Sequence, residues 1–512
     1  MTLNAIIDYN KYLNSETYIL FADAYKCFDR LNLKNCIIDL YKAVGAKTAM
    51  EIYRLNQHGK AIIQAPGGKI GPVKADNLVR QGTIWGPTLC SSSVDKVNKI
   101  GRKCITIIGN NIKIEMLAYV DDINYATNNK KQLEKAVNNL RVMEKTKGFT
   151  FNIGASKTAI LKIQNKKKSK ELDIKKLYVK KGTIENTSEY KYLGEWYNEK
   201  GDHSTSIKMR KQKIEEYIRK LHFYGNEYII GKYALEIRIK IYKTIVIPTV
   251  YHNIQTWSNI TKRELKELEG IQGYILKRMC ELPKTTPYIA LLAELGIWTV
   301  EKQIEYGKIT LLHNIMTSNN RLIKDIIKDQ IENTWKGCWI EQVIQICEKY
   351  DIILENITTY TKHKLKEILK KKIWNKMQNE LDEERKEKSK LRFITRFEKK
   401  EYIKKLNYKE CLTMFKIRMN MIETKHNYKG LFNNNLDCEI CKKEIDKTEH
   451  LFTCEKINRT KINDKAVINN IKLAKLEIAT IAQEALYTRE KMGFKVTIKD
   501  DKTTENQSKK QL

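Results

Sequence analysis

The sequence lacks an N-terminal apolar segment flanked by basic residues, so nothing in it marks a secretory signal. It lacks any uninterrupted apolar run of the roughly 20 residues that a membrane-spanning helix needs. No internal repeat at a fixed period stands out. The eleven cysteines are odd in number and scattered, apart from one cluster near the C-terminus, which is not how a disulfide framework is spaced. These absences lead us to expect an intracellular, reduced chain that is neither secreted nor embedded in a membrane. Negative charge is also scarce: 61 Asp and Glu stand against 95 Lys and Arg, a net charge of +34. A surface that basic attracts polyanions, so nucleic acid is the natural partner; a generally solvated lysine-rich surface is the competing reading. What is present is ample: 512 residues, 42% of them apolar, bury a sizeable core in roughly two to four domains.

Residues 1 to 160 mix short apolar strands with helices. "TLNAIIDYNKYL" (2–13) reads as a helix, "TYILFAD" (17–23) as a strand, and "NLKNCIIDLYKAVG" (32–45) as a helix with apolar residues at helical spacing. Residues 103–127 read as strands turned at Gly109-Asn110-Asn111 and again at Asp121-Asp122. Residues 129–148 read as an amphipathic helix stopped by Gly148. This alternation predicts an α+β fold, an antiparallel sheet with helices on one face. From 200 to 400 the character changes to long helices rich in Lys, Glu and Ile. Thr261 and Glu264 form a capping-box pattern ahead of one of them, and Pro283 and the 285–287 stretch end it. The runs 167–170 and 382–390 read as exposed helix faces or linkers, and 495–512 as a disordered tail.

Asp121 and Asp122 interrupt the apolar stretch "MLAYVDDINYA" (116–126). Ionised carboxylates are rarely placed in apolar surroundings without a partner. A hairpin with both at its tip sets two like charges together, and each raises the other's pKa unless a cation neutralises them. Asp23 ends a strand that, laid beside the hairpin, would face Asp121 across the sheet. Three acids at one sheet edge suit two Mg²⁺ ions roughly 3.5–4 Å apart, the arrangement that catalyses in-line phosphoryl transfer. Taken alone, the doublet reads as a turn, where Asp is common, ahead of a metal site.

Five segments in order carry a resemblance: "FADAYKCFDRL" (21–31), "RQGTIWGPTLC" (80–90), "AYVDDI" (118–123), "KGFTFNIGASKTAI" (147–160) and "YKYLGEW" (190–196). They resemble motifs A to E of reverse transcriptases, in variants similar to the non-LTR (LINE-type) retrotransposon branch. The resemblance implies a palm domain over 1–200, a helical thumb-like region over 201–320, a helical linker over 321–410, a C-terminal zinc-binding region over 411–490 and a disordered 491–512. It implies that Asp23, Asp121 and, less directly, Asp122 hold Mg²⁺, with the carbonyl of Ala24 as a backbone ligand. Phe28 matches a bulky gate that excludes a ribose 2′-OH, and is otherwise an ordinary core phenylalanine. Arg80, Gln81 and Gly82 match the template- and nucleotide-contacting motif B, where Gly86-Pro87 replaces the usual Ser-Pro and keeps a turn. Lys157 matches a lysine that protonates the departing pyrophosphate. Tyr192, Leu193 and Gly194 match the primer grip, and are otherwise a plain hairpin turn. The implied partners are an RNA template, a DNA primer or target DNA, and dNTPs, in cytoplasm and nucleus.

Met1 lies 22 residues before Asp23, so the family's fingers region and endonuclease domain are not in the sequence, which reads as an N-terminally truncated member. An inactive remnant that binds nucleic acid is therefore the alternative. A maturase or telomerase-like polymerase would share the three acids, but not the cysteine cluster.

That cluster is Cys438, Cys441, His450 and Cys454, spaced C-x2-C-x8-H-x3-C within 17 residues. Three thiolates and an imidazole suit a closed tetrahedral Zn²⁺ site, a small zinc-knuckle-like element, in a reduced protein. Arg418, Lys425, His426, Tyr428 and Lys429 precede it and mix charge with an aromatic able to stack on a base. A solvated basic surface is the alternative there.

Overall fold

The run Tyr18-Ile19-Leu20-Phe21-Ala22 carries no polar alternation, and a strand of that kind needs cover on both faces. In the computed structural model it has that cover. The structure describes residues 1–57, 59–74, 79, 82–100, 104–164, 177–228, 234–432, 435–457 and 463–494. Arg80, Gln81, the 167–170 run and the 495–512 stretch lie outside the described residues. The chain divides into two compact units. One comprises Met1–Ser206, Gln255–Ile260 and Leu311–Lys349; the other comprises Ile207–Ile254, Thr261–Thr310 and Tyr350–Leu512.

The first unit opens with α1 (Thr2–Tyr12), β1 (Thr17–Asp23), the short α2 (Cys27–Arg30) and α3 (Leu33–Asn56). The hairpin β2 (Lys60–Ala65) and β3 (Gly68–Lys74) leads to α4 (Gly86–Ile100). Next come β4 (Thr106–Ile108), β5 (Ile112–Ile114), β6 (Leu117–Tyr119), β7 (Asp122–Thr127) and α5 (Lys130–Lys147). The series closes with β8 (Ala159–Ile163), β9 (Tyr178–Val179), β10 (Gly182–Thr183), β11 (Glu185–Thr187), β12 (Glu189–Tyr192) and β13 (Glu195–Asn198). The expected helix over 32–45 is longer than its sequence pattern: α3 continues past a kink at Gly45, which takes φ 80°. Gly148 at φ 78° stops α5 where the sequence reading places its end, and Asn129 caps its start by accepting from the Lys131 N–H.

The central sheet has five strands in the order β11-β8-β1-β7-β6. All neighbours are antiparallel except the β11–β8 pair. Tyr18, Leu20 and Ala22 of β1 join Ile123 and Tyr125 of β7 in one core with Leu40 of α3, Leu89 and Val94 of α4, and Leu133, Leu140 and Met143 of α5. Each large side chain buried this way contributes about 1.5–3 kcal/mol. The other face is covered too, which departs from the expected sheet with helices on one face. There the Phe21 ring stacks on Tyr190 with centroids 4.0 Å apart, and Tyr197, 6.4 Å from Phe21, bonds Asn4 of α1 at 3.0 Å. The unbroken apolar run from Tyr18 to Ala22 within β1 is what two covers require.

The second unit is helical. The Thr261–Glu264 capping box forms and starts the Lys262–Met279 helix, and Pro283 follows that helix's end. Arg418, expected as a nucleic-acid contact, is instead fully buried in a two-pronged pair with Glu294, both contacts 2.9 Å. Tyr402 Oη donates to the same carboxylate at 2.6 Å. A charge removed from water needs such a partner, and removing one side of a buried pair costs about 3–5 kcal/mol. No helix among the described residues is long and apolar enough to cross a membrane.

Candidate active site and metal-ligand cluster

Strand pairing brings the acids together. Asp23, last in β1, sits in register with Asp122, first in β7, and Asp122 pairs on its other side with Tyr119 of β6. The expected cross-sheet neighbour was Asp121. It lies instead in the β6–β7 turn, after Val120 at φ 60°, because the strand resumes only at Asp122. Asp121 turns into an open cleft of about 490 Å³ that Phe28, Gly82 and Pro87 also line. One cleft thus collects residues from the first three motif segments. Gly82 takes φ 80°, a conformation that favours glycine. The turn expected at Gly86-Pro87 is closed by the Gly86 N–H on Thr83 O at 3.2 Å, and Pro87 falls in the first turn of α4. Phe28 both packs on the core and lines the cleft.

Asp122 has its carboxyl pushed above the usual range, first by burial and then by the charges of Asp121 and Asp23, with Lys157 opposing. Lys157 is half exposed, and its Nζ lies 3.5 Å from Asp23 Oδ2. Asn152 Nδ2 donates to the same oxygen at 2.6 Å. The Asp23 N–H donates to Thr158 Oγ1 at 3.2 Å. Ala24 is bridged to Phe151 by bonds from Asn152 N–H to Asp23 O (3.0 Å) and from Tyr25 N–H to Thr150 O (2.7 Å). Neither bond uses the carbonyl of Ala24. Tyr192, Leu193 and Gly194 make the β12–β13 turn, with Leu193 at φ 48° and Gly194 at φ 83°. Tyr192 lies 5.5 Å from the Phe21 ring, so this hairpin packs beneath β1.

Several supporting residues carry no sequence signal of their own. Tyr190 Oη donates to Lys157 O at 2.5 Å, which ties the lysine's loop to β12. Asn152 and Thr158 lie within the fourth motif segment, but their bonds to Asp23 depend on the β1–β8 register, which spacing does not give. Cys27 and Cys90, with sulfurs 3.3 Å apart, join α2 to α4 behind the cleft. Their mutual hydrogen bond, then burial, pushes the Cys27 thiol far above its ordinary value, so it stays a neutral packing group.

Residues 2–196 match the family model described as reverse transcriptase (RNA-dependent DNA polymerase). That segment is similar to a reverse transcriptase domain. No curated protein matches the chain. The family it matches is one of RNA-directed DNA polymerases, enzymes that use divalent metal ions and take a nucleic-acid template, a primer and nucleotides. Within that segment, three clustered carboxylates with one forced above its usual pKa are a donor set that fits hard divalent cations.

The second unit holds the Cys/His cluster. The ligand atoms of Cys438, Cys441, His450 and Cys454 all lie within 4.8 Å of one another. A tetrahedral Zn²⁺ with Zn–S and Zn–N bonds of about 2.3 and 2.0 Å sets its ligand atoms roughly 3.5–3.8 Å apart, so the cluster is compatible with zinc. Cys441 Sγ lies 3.3 Å from His450 Nε2, while His450 Nδ1 bonds Glu444 Oε2 at 2.9 Å. The nitrogen that faces the sulfurs is thus the one left for a metal. Burial, then the crowding of Cys438 and Cys441, pushes the Cys454 thiol up to about 12. Burial also acts to raise Cys441, but the N–H groups of Lys443 and Glu444 outweigh it and hold that thiol below its usual value.

Of the basic residues expected to grip nucleic acid here, Lys425 is buried with Arg418, and its Nζ pairs with Glu439 at 2.5 Å. Tyr428 Oη donates to Met421 O at 2.9 Å. Only His426 and Lys429 of the five are exposed. Buried charges must be paired, so these cations hold the cluster's surroundings together.

Proposed function

We propose that the protein is a LINE-type reverse transcriptase that transfers a deoxynucleotidyl group from a dNTP to a primer 3′-OH on an RNA template. The observation that carries this is the meeting of Asp121, Phe28, Gly82 and Pro87 in one cleft beside the Asp23–Asp122 register pair. Asp23, Asp121 and Asp122, with the carbonyl of Ala24, would hold two Mg²⁺ ions. Those ions supply activation of the 3′-hydroxyl and neutralisation of phosphate charge. Phe28 fills the space a ribose 2′-OH would need. Lys157 stands beside Asp23 to give a proton to the departing pyrophosphate. Tyr192, Leu193 and Gly194 hold the primer end, and Arg80, Gln81 and Gly82 contact template and nucleotide. Cys438, Cys441, His450 and Cys454 take a structural Zn²⁺, His450 through Nε2. Template and primer are carried in cytoplasm and nucleus. Supporting all of this are the ordered motif segments, the basic charge and the two donor sets.

The test is primer extension on an RNA template with Mg²⁺ and dNTPs, comparing the chain with Asp121→Asn. Extension that falls by about a thousandfold or more in the variant is expected, on the scale of losing an electrostatic keystone of the transition state. Folded, RNA-binding protein that extends no primer would favour the inactive nucleic-acid-binding remnant.

A further inference from the structure

One uncharged side chain is built into the carboxylate site. Asn152 lies in the stretch between α5 and β8, and its backbone is fixed there from both sides. Its N–H donates to Asp23 O at 3.0 Å, and its carbonyl accepts from the Thr158 N–H at 3.0 Å. Thr158 Oγ1 in turn accepts the Asp23 N–H at 3.2 Å. The side chain adds a bond that this backbone frame does not need: Asn152 Nδ2 donates to Asp23 Oδ2 at 2.6 Å.

The direction of the amide is set by its neighbours. A carboxylate only accepts and an ammonium only donates. Lys181 Nζ stands 3.4 Å from Asn152 Oδ1, with the Asp23 carboxylate at the other end, so it is the NH₂ that meets the acid. Turned round, the amide would lose both contacts. The remaining group on Asp23 Oδ2 is Lys157, half exposed with its Nζ 3.5 Å away. A long flexible ammonium is a point charge that holds direction poorly and offsets the very charge a metal ion needs. A neutral amide on a fixed backbone orients the carboxylate and leaves its charge in place. That matters because Asp23 faces Asp122 in register, and two like charges repel. An untethered Asp23 carboxylate would rotate away from its neighbour. Among the described residues Oδ2 takes both contacts and Oδ1 takes neither, so Oδ1 is the oxygen left for a ligand.

We infer that Asn152 is a positioning residue, whose amide locks the Asp23 carboxylate through Oδ2 so that Oδ1 is presented to a divalent cation before the cation arrives. The inference rests on the divalent-metal reading of the carboxylates above. A carboxylate already held by a hydrogen bond loses less freedom when it takes a metal, and removing such an outer partner typically costs roughly 10–100-fold in metal affinity or activity.

The experiment follows Mn²⁺ binding to the full chain by electron paramagnetic resonance, without nucleic acid, in wild type, Asn152→Ala, Asn152→Leu and Asp23→Asn. Thermal melting without divalent ions and the Mg²⁺ dependence of primer extension are measured on the same proteins. Asp23→Asn identifies the carboxylate site by the signal it removes. Both Asn152 variants keep the backbone bonds, and both should bind Mn²⁺ there about tenfold more weakly with unchanged melting. Their extension should need about tenfold more Mg²⁺ and recover at saturation. Leucine keeps the volume of the amide and alanine does not, so agreement between them assigns the loss to the hydrogen bond. Wild-type Mn²⁺ affinity in both variants overturns the inference, as does wild type without Asp23-dependent Mn²⁺ binding. Weaker binding matched in both variants by a fall in melting temperature makes Asn152 a structural residue and also overturns it. Wild type that binds Mn²⁺ through Asp23 but extends no primer ends the polymerase reading alone, and the Mn²⁺ titrations still decide Asn152.

Discussion

The carboxylate site and the Cys/His cluster solve the same problem, holding like-charged ligands together, by opposite means. Asp23 meets Asp122 across nearly a hundred residues of chain, and only the β1–β7 pairing brings them into register. The four ligands of the cluster lie within 17 residues of sequence, and Glu444 sits among them. The carboxylates are left in mutual repulsion, with Asp122 pushed above its usual range. The cluster is braced from outside. Lys425 pairs with Glu439, and Arg489 pairs with the buried Asp446 at 2.7 Å. On the proposed function, a site that exchanges a metal-bound substrate each turnover keeps unbalanced charge, and a structural zinc site surrounds its ligands with fixed partners.

The sharpest way to break this comparison is to remove metals selectively. A zinc-selective chelator should strip one Zn²⁺ per chain and lower the melting temperature, because structural zinc binding is coupled to local folding. Withdrawing Mg²⁺ should abolish primer extension while leaving the melting temperature nearly unchanged. Zinc retention should also weaken as pH falls. The Cys454 thiol, raised to about 12 in the metal-free cluster, must lose its proton to bind, and lower pH opposes that loss. A metal-release assay across pH 5 to 8 with a colorimetric zinc reporter checks the sign. Loss of zinc without any change in melting would end the structural reading.

A smaller effect is expected at Glu444. Glu444→Gln should weaken zinc affinity by about tenfold, the lower end for losing an outer-shell partner of a metal-bound histidine. Competition with a chelator of known affinity measures it, and an unchanged affinity would mean the 2.9 Å contact does not orient His450.

The smallest effect is at Asp122, and its sign is the informative part. A carboxyl whose folded pKa is raised costs stability at neutral pH, and that cost is relieved as pH falls towards the raised value. Asp122→Asn should therefore raise the melting temperature slightly at pH 7 without divalent cation. The gain should shrink at acid pH, and added Mg²⁺ should stabilise wild type more than the variant. A variant less stable than wild type under all three conditions would show that Asp122 holds the fold rather than waits for charge.

Much of the local structure was legible from short patterns. The stop at Gly148 and the capping box at Thr261 both depend on residues close together in the chain, and both formed. The length of α3 was not legible, because Gly45 bends the helix without ending it. Nor was the burial of Arg418 and Lys425. Composition marks a cation but not the acid that meets it, and Glu294 lies 124 residues from Arg418.

The sequence by itself determined the kinds of ligand present and their local spacing. Three acids beside apolar strand segments and a C-x2-C-x8-H-x3-C cluster are set by neighbours along the chain. Tertiary structure alone decided which acid faces which, and that Asn152 links Asp23 to Lys181. The physical reason is register. Shifting one strand by a single residue sends every side chain to the other face, and register is fixed by packing across the whole sheet rather than by any one segment.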